Sequence, residues 1–286
     1  IDKANFARKQ VRSNTRVSAI QFDKKLEVKQ TLTGELLSGL PQALESGEFK
    51  LYLQPKFSPK DLSVIGAEAL TRWIKPDGTV VYPDQFIPIL ESTGRIVDLD
   101  LYIFEQVARF LQRNAQAGHR LLPIAVNASA VLAREDAPTQ EYSEILEKHN
   151  ISARMLEIEL TETAVVSEYD RVKRLLSSFQ SDGMQTSLDD FGAGSSLLNN
   201  MVDIPVNTIK LDKLFLTRCS SNARGTDFLR EVVHLVKRLG YNVICEGIET
   251  EEQVQLLRSL DCDGAQGFWF SKAIPAEEFE RRYLCS

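Results

Sequence analysis

The stretch Met155-Leu156-Glu157-Ile158-Glu159-Leu160-Thr161-Glu162 alternates apolar with acidic side chains, and Thr208 to Asp212 repeats the pattern, with Ile209 and Leu211 set against Lys210 and Asp212. Alternation with a period of two is the mark of a β-strand, whose successive side chains face opposite ways. Strands of a parallel sheet are covered on both faces and ordinarily read as nearly continuous apolar runs, because a buried unpaired charge costs several kcal/mol. These two do not. One face of each packs on helices while the other aims charge at a common axis, as in a closed barrel.

Outward from these two stretches the same rhythm continues. LYLQPKF (51–57), SVIGAEAL (63–70), LLPIAVNAS (121–129), QTSLDDFG (185–192), NVICEGIE (242–249) and DGAQGFW (263–269) bring the β-rich runs to eight. Between them lie helix candidates at Leu101–Gln116, Ser143–Lys148, Glu168–Asp182, Thr226–Leu239 and Glu251–Leu260. Strand alternating with helix over more than 200 residues predicts mainly parallel β/α units and a (β/α)8 TIM-like barrel over 49–286. Residues 1–48 read as a leading segment: a short polar helix at Asp2–Lys9, a strand at Val17–Phe22, and a linker helix over Leu26–Ser46. The start at Ile1, without methionine, reads as a fragment cut from a longer protein.

Of the 286 residues, 43% are hydrophobic and 26% charged, the profile of a globular chain with a sizeable core. No apolar run approaches the ~18 residues that a membrane helix needs, and the polar, basic start is no secretory signal. A net charge of −6 argues against binding DNA or RNA through phosphates, though not against a small phosphorylated ligand held with metal ions. Cys219, Cys245, Cys262 and Cys285 are scattered without CxxC pairing, which points away from a disulfide framework or zinc and toward a reducing cytoplasm. His119, His149 and His234 read as surface or packing residues.

Glu68, Asn127, Glu159, the Asp189–Asp190 pair and Glu246 fall at or near the C-terminal ends of different strands, where barrel enzymes build their active sites. A single such carboxylate is ordinarily a helix cap or half of a salt bridge; about six on separate strands point to one convergent site. Five negative charges in a small volume require protons or cations. All-oxygen ligands with the Asn127 carbonyl select hard ions such as Mg²⁺, Mn²⁺ or Ca²⁺. Adjacent aspartates suit two ions about 3.5–4 Å apart. Lys210 supplies charge beside them, and Gly192 and Gly194 permit tight or left-handed backbone after the double aspartate.

In this order, LYLQPKF, GAEALTRW, DQFIPILESTG, VNASA, IELTET, LDDFGAGSS, IKLDK, CEGIETEEQ and GAQGFWFSKAIPAEEF resemble the EAL-domain cyclic-di-GMP phosphodiesterases, from about Glu48 to Tyr283. The resemblance implies metal-dependent hydrolysis of one phosphodiester bond of cyclic di-GMP to linear pGpG, with two Mg²⁺ or Mn²⁺ ions and inhibition by Ca²⁺. By position, Glu68, Asn127, Glu159 and Asp189 match first-metal ligands, and Asp189 with Asp190 the second-ion pair. Lys210 matches the lysine near the attacking water, Glu246 the general base or second-metal partner, and Glu162 the anchor of the following loop. Gln54, Leu70, Arg72, Asp212, Glu249 and Gln266 match residues that contact substrate or line the site.

DKANFARK resembles the final helix of a GGDEF-type diguanylate cyclase, which implies a GGDEF-like or sensory domain before Ile1. The family resemblance further implies a homodimer in the bacterial cytoplasm, with membrane attachment a matter for the full-length protein and no membrane contact within this segment. Two positions depart from the family's pattern: Ser195 stands where a tyrosine is usual, and Ala273 replaces a usual proline. The main alternative is a catalytically weak or silent cyclic-di-GMP receptor that signals by conformational change. A barrel that only binds proteins leaves the strand-end charges unexplained.

Overall fold

The computed structural model describes residues 24–134, 139–193 and 201–285, with side chains from residue 30 onward. The elements expected at Asp2–Lys9 and Val17–Phe22, and the positions Gly194 and Ser195, lie outside the described residues. Two compact units emerge, residues 1–50 with 72–96 and residues 51–71 with 97–286.

In the first unit, helix α1 (Lys24–Glu45) covers nearly all of the stretch expected to be helical and buries Leu36, Leu40 and Ala43 along one stripe. Helix α2 (Pro83–Thr93) begins on a proline, whose missing N–H costs nothing there, and ends at Gly94 with φ of 73°. Its Phe86 meets Phe49 and Trp73 edge-on at 5.6 and 6.4 Å, while Phe49 and Trp73 stack at 5.4 Å. The Trp73 indole N–H donates to Glu48 at 2.9 Å.

The second unit is a closed eight-strand barrel. Strands β1 (Phe49–Phe57) and β2 (Val64–Ile74) lend it residues 51–57 and 64–71, and β3 (Val80–Val81) pairs with the far end of β2 in the first unit. The ring then runs β2, β4 (Ile124–Asn127), β5 (Leu156–Thr161), β6 (Gln185–Phe191), β7 (Thr208–Leu211), β8 (Asn242–Cys245) and β9 (Gly264–Ala265), and β1 closes it between β9 and β2. From β2 to β9 every neighbouring pair is parallel. β1 is antiparallel to β9, which corrects the expectation for the first strand. The cause is the connection 58–63, a turn with Leu62 at φ of 61°, far shorter than a parallel crossover requires. The last expected run, 263–269, contributes only the two residues of β9.

The outer helices follow from apolar spacing. Helix α3 (Ile96–Gln116) precedes β4, α4 (Gln140–His149) precedes β5, and the one-and-a-half-turn α5 (Glu162–Ser167) leads into α6 (Tyr169–Ser181). Helix α6 buries Val172, Leu175, Leu176 and Phe179, one face of a 3.6-residue repeat. Helix α7 (Lys213–Cys219) is capped by Asp212, and α8 (Ala223–Arg238) buries Leu229, Val232, Val233 and Val236 with the same spacing. Helix α9 (Glu251–Ser259) opens with a Thr250–Gln253 capping box, and α10 (Ala276–Tyr283) follows the short strand β10 (Ile274–Pro275).

Tyr142 of α4 sits edge-on between Phe104 of α3 at 4.7 Å and Phe179 of α6 at 5.2 Å. It is 1% exposed, and its hydroxyl finds no partner among the described residues. A buried hydroxyl without a hydrogen bond costs about 1–3 kcal/mol, so Tyr142→Phe is expected to leave urea stability unchanged or raise it by about 1 kcal/mol. Tyr142→Ala, which opens a cavity, is expected to cost about 3–5 kcal/mol. A clear loss of stability in Tyr142→Phe would show that the hydroxyl is satisfied in solution.

Candidate active site

Inside a barrel, alternate residues of each strand face the axis, and register sets which of them meet. Asn127 pairs in register with Glu159, and Glu159 with Ser187. Lys210 of β7 is fully buried, with its ammonium 2.9 Å from Glu159, 3.2 Å from Asp189, 2.7 Å from Glu246 and 3.5 Å from Glu68. These carboxylates come from β5, β6, the end of β8, and β2. Asn127 and Gln266 donate to the two oxygens of Glu68 at 3.0 and 2.7 Å.

Asp189 and Asp190 are adjacent, and in a regular strand they would face opposite ways. Between Leu188 and Phe191 the register against β7 shifts by one residue, and Asp190 takes a left-handed φ of 57°. This β-bulge lets both carboxylates serve the same end of the barrel. Gly192, at φ of 91°, comes two residues later; a Cβ there would lie 2.5 Å from the Phe215 ring. Its N–H donates to Glu162 at 3.0 Å, so the buried Glu162 carboxylate ties down the start of the loop.

The charges are unequal in character. Burial raises the Asp189 carboxyl from 3.8 to about 8, with Glu246, Glu159 and Glu68 adding to the shift and Lys210 opposing it. Glu246 and Asp190 are likewise raised, chiefly by burial. Glu159 behaves oppositely: burial works against its charge, yet Lys210 and Lys56 hold it down to about 2. The donors group into two sets, Glu68–Glu159–Asp189 and Asp189–Asp190–Glu246, each with carboxylate oxygens within 4.8 Å of one another. Two sets that share Asp189 fit two hard divalent cations. A raised carboxyl in such a set is one whose proton a bound cation would displace.

A cleft of about 290 Å³ opens over these groups, lined by Gln54, Glu68, Leu70, Asp189, Glu246, Glu249 and Gln266 among the expected residues. Gln54 donates to the Ser271 carbonyl at 3.2 Å. Asp212, expected among the substrate contacts, caps α7 by accepting from the Leu214 N–H at 2.8 Å. Arg72 belongs to the first unit, with its guanidinium 5.6 Å over the Tyr82 ring.

Three residues escaped the sequence reading. Lys56, 3% exposed, pairs with Glu159 at 2.8 Å and Glu157 at 3.2 Å. It shares the parity of Gln54 on β1, but a lone lysine in LYLQPKF does not stand out from any strand-edge charge. Lys213, on the cleft wall, pairs with Glu249 at 2.6 Å, and Phe268 lines the cleft while 62% exposed.

The comparisons with known proteins agree with this architecture. A family model described as the EAL domain matches residues 38–273. The chain is 34% identical over 242 residues to the signaling protein YkoW of Bacillus subtilis, covering 85% of this chain and 30% of that protein. It is 32% identical over 286 residues to the cyclic di-GMP phosphodiesterase NbdA of Pseudomonas aeruginosa, covering 99% of this chain and 36% of NbdA. The chain thus spans about a third of the length of these curated relatives. The solved structure of the PaMucR phosphodiesterase in complex with c-di-GMP superposes with a TM-score of 0.78 at 31% identity, covering 86% of this chain and 99% of that one.

The charge arrangement can be tested through stability. Lys56→Met leaves Glu157 and Glu159 short of a buried partner and is expected to cost about 3–5 kcal/mol in urea unfolding. Adding Glu157→Gln recovers part of it; a cost below about 1 kcal/mol would show that the pair is not a structural requirement. In chelator, Asp189 binds a proton on folding that the unfolded chain has already lost, so its contribution is complete below its ordinary 3.8 and is lost as pH rises through about 8. Stability of the metal-stripped protein should therefore fall between those limits, and Asp189→Asn should flatten the profile. A profile that rises over that window contradicts the assignment.

Proposed function

This chain belongs to the EAL domain family, and on that premise we propose that it hydrolyses one phosphodiester bond of cyclic di-GMP to linear pGpG with divalent metal ions at the barrel mouth. The observation that carries the proposal is the ring of carboxylates around the fully buried Lys210, arranged as two oxygen sets that share Asp189. The names of NbdA and of the PaMucR complex supply the substrate.

In this reading Glu68, Asn127, Glu159 and Asp189 hold one ion, and Asp189, Asp190 and Glu246 hold or face the second. Bound there, Mg²⁺ or Mn²⁺ supplies Lewis-acid stabilisation of developing oxygen charge and acidifies water. Lys210 keeps the surrounding carboxylates at fixed spacing and places a positive charge beside the attacking water. Glu246, its carboxyl raised by burial and 2.7 Å from Lys210, is suited to accept a proton from that water. Gln266 holds Glu68 in place, and its own Oε1 is buried without a partner among the described residues.

Gln54, Leu70 and Glu249 form the walls for the dinucleotide, and Arg72 remains the proposed phosphate contact because its planar fork donates two hydrogen bonds. The exposed ring of Phe268 offers a face on which a guanine can stack. Lys213 adds a phosphate partner once it leaves Glu249. A homodimer and a GGDEF-like domain elsewhere in the full-length protein belong to the same proposal; the bifunctional relative MucR carries both activities in its name. Among the described residues no helix is long and apolar enough to cross a membrane.

The test is incubation with cyclic di-GMP and Mg²⁺ or Mn²⁺, with chromatographic detection of pGpG. Product is expected with either ion and none in chelator, with excess Ca²⁺ inhibitory because its looser geometry misplaces the water. Glu68→Ala should lower turnover by at least about 100-fold while circular dichroism stays unchanged, since removal of a single metal-orienting partner already costs about 10–100-fold. Turnover that persists in chelator, or a loss of only a few-fold in Glu68→Ala, would overturn the metal assignment.

A further inference from the structure

A second group of metal-type donors lies away from the carboxylate ring. His119 sits in the turn between α3 and β4, Glu280 on α10, and Cys285 just past the end of α10. One ligand atom from each lies within 4.8 Å of the others. The Cys285 sulfur is 3.7 Å from Nε2 of His119. Around a tetrahedral zinc ion, with bonds of about 2.0 Å to nitrogen and 2.3 Å to sulfur, neighbouring donors stand roughly 3.5 Å apart. The sulfur–nitrogen pair already has that spacing. The sulfur is also 3.8 Å from Nδ1, so it stands beside the ring, and a rotation of the exposed Cys285 side chain brings it in line with Nε2.

The histidine is oriented for a ligand. Asn114 is 0% exposed, and its Nδ2 donates to the Phe110 carbonyl at 2.9 Å, which turns its Oδ1 toward Nδ1 of His119 at 2.8 Å. An amide oxygen only accepts, so Nδ1 carries the hydrogen and Nε2 keeps a lone pair that the Cys285 sulfur meets once its side chain rotates. Metal-binding histidines are characteristically fixed in this way, through the nitrogen that does not touch the ion. Glu280 accepts from Arg113 through Oε2 at 2.5 Å, and one of its carboxylate oxygens lies within 4.8 Å of the His119 and Cys285 ligand atoms. A thiol–imidazole hydrogen bond accounts for the sulfur and the ring, and the Arg113 pair for one Glu280 oxygen, but neither accounts for the buried amide that fixes the tautomer.

We propose that His119, Glu280 and Cys285 form a binding site for a borderline-soft divalent cation, above all Zn²⁺. Thiolate and imidazole donors favour zinc over the hard ions that suit the oxygen-only mouth. On binding, the Cys285 S–H proton leaves to solvent and a zinc–sulfur bond forms, with no change of oxidation state. A fourth position stays open to water. The ion ties the end of α10 to the α3–β4 turn, at the opposite end of β4 from Asn127. The absence of CxxC spacing, which pointed away from zinc in the sequence, does not exclude donors brought together from residues 119, 280 and 285.

Cobalt is the probe, because a thiolate–cobalt charge-transfer band in the near ultraviolet cannot come from the all-oxygen mouth. Titrating the full chain with Co²⁺ under reducing conditions is expected to give this band at one equivalent, and Zn²⁺ should bleach it. Cys285→Ser should abolish the band; the position is exposed, so the variant folds. His119→Ala should weaken binding by more than the roughly 10–100-fold that loss of an orienting partner costs, and Glu280→Gln by less. Cys219, Cys245 and Cys262 are buried, so alkylation reads Cys285 alone, and Zn²⁺ should slow it in the wild type. This protection is expected to disappear in His119→Ala. No thiolate band at saturating Co²⁺, or undiminished affinity in His119→Ala, overturns the proposal.

Discussion

A lysine with no exposed surface is the constraint on which the rest of the barrel depends. Removing an ammonium from water costs several kcal/mol even after relaxation, and only close, well-placed counter-charges offset it. Lys210 meets four carboxylates within 3.5 Å, each from a different strand. No single β/α unit can supply that set, so the ring has to close for the charge to be tolerated. The reverse also holds: without Lys210 and Lys56 the carboxylates would repel one another. At Asp189 burial, with the neighbouring carboxylates, still outweighs Lys210 and raises the carboxyl to about 8. An apolar filling of the same volume would in general stabilise the barrel at least as well. A network that stability alone does not require fits the proposed pair of divalent cations.

The second constraint is the bulge at the end of β6. A non-glycine residue in left-handed backbone costs on the order of 1 kcal/mol, and Asp190 is held there by contacts made just beyond it in the chain. Gly192 supplies the next positive φ, Phe215 packs where its side chain would be, and Glu162 takes its N–H. The bulge turns an alternating strand into one that presents two successive carboxylates, which a regular strand cannot give and which suits the proposed pair of cations.

The strand-end carboxylates were legible because a charge in a run with period-two alternation violates the composition of a doubly covered strand, and the violation recurs on several strands. Glu159 and Lys210 could be found that way. Lys56 could not be singled out: one lysine near the end of LYLQPKF looks like any strand-edge charge until β1 closes the ring and sets it against β5. The antiparallel course of β1 was implicit in the short 58–63 connection, yet eight similar runs outweighed it. Asp212 shows the opposite limit. Its position after TIKL fits both a site residue and a helix cap, and only the Leu214 N–H at 2.8 Å shows that the cap is made.

β4 brings the two donor chemistries into one frame. It is four residues long, Ile124–Asn127, and at about 3.3 Å per residue it separates its ends by little more than the width of a helix. At its C-terminal end Asn127 faces an oxygen-only set of hard donors; before its N-terminal end His119 faces sulfur. Zinc outcompetes magnesium for almost any common donor, so a hard-ion site keeps its selectivity through geometry and ligand type rather than through raw affinity. Placing imidazole and thiolate on the far side of a fully packed barrel keeps them from completing a zinc site at the mouth. The three histidines and four cysteines of this chain are absent from the carboxylate ring, and that exclusion is as much a part of the mouth's chemistry as the aspartates and glutamates that line it.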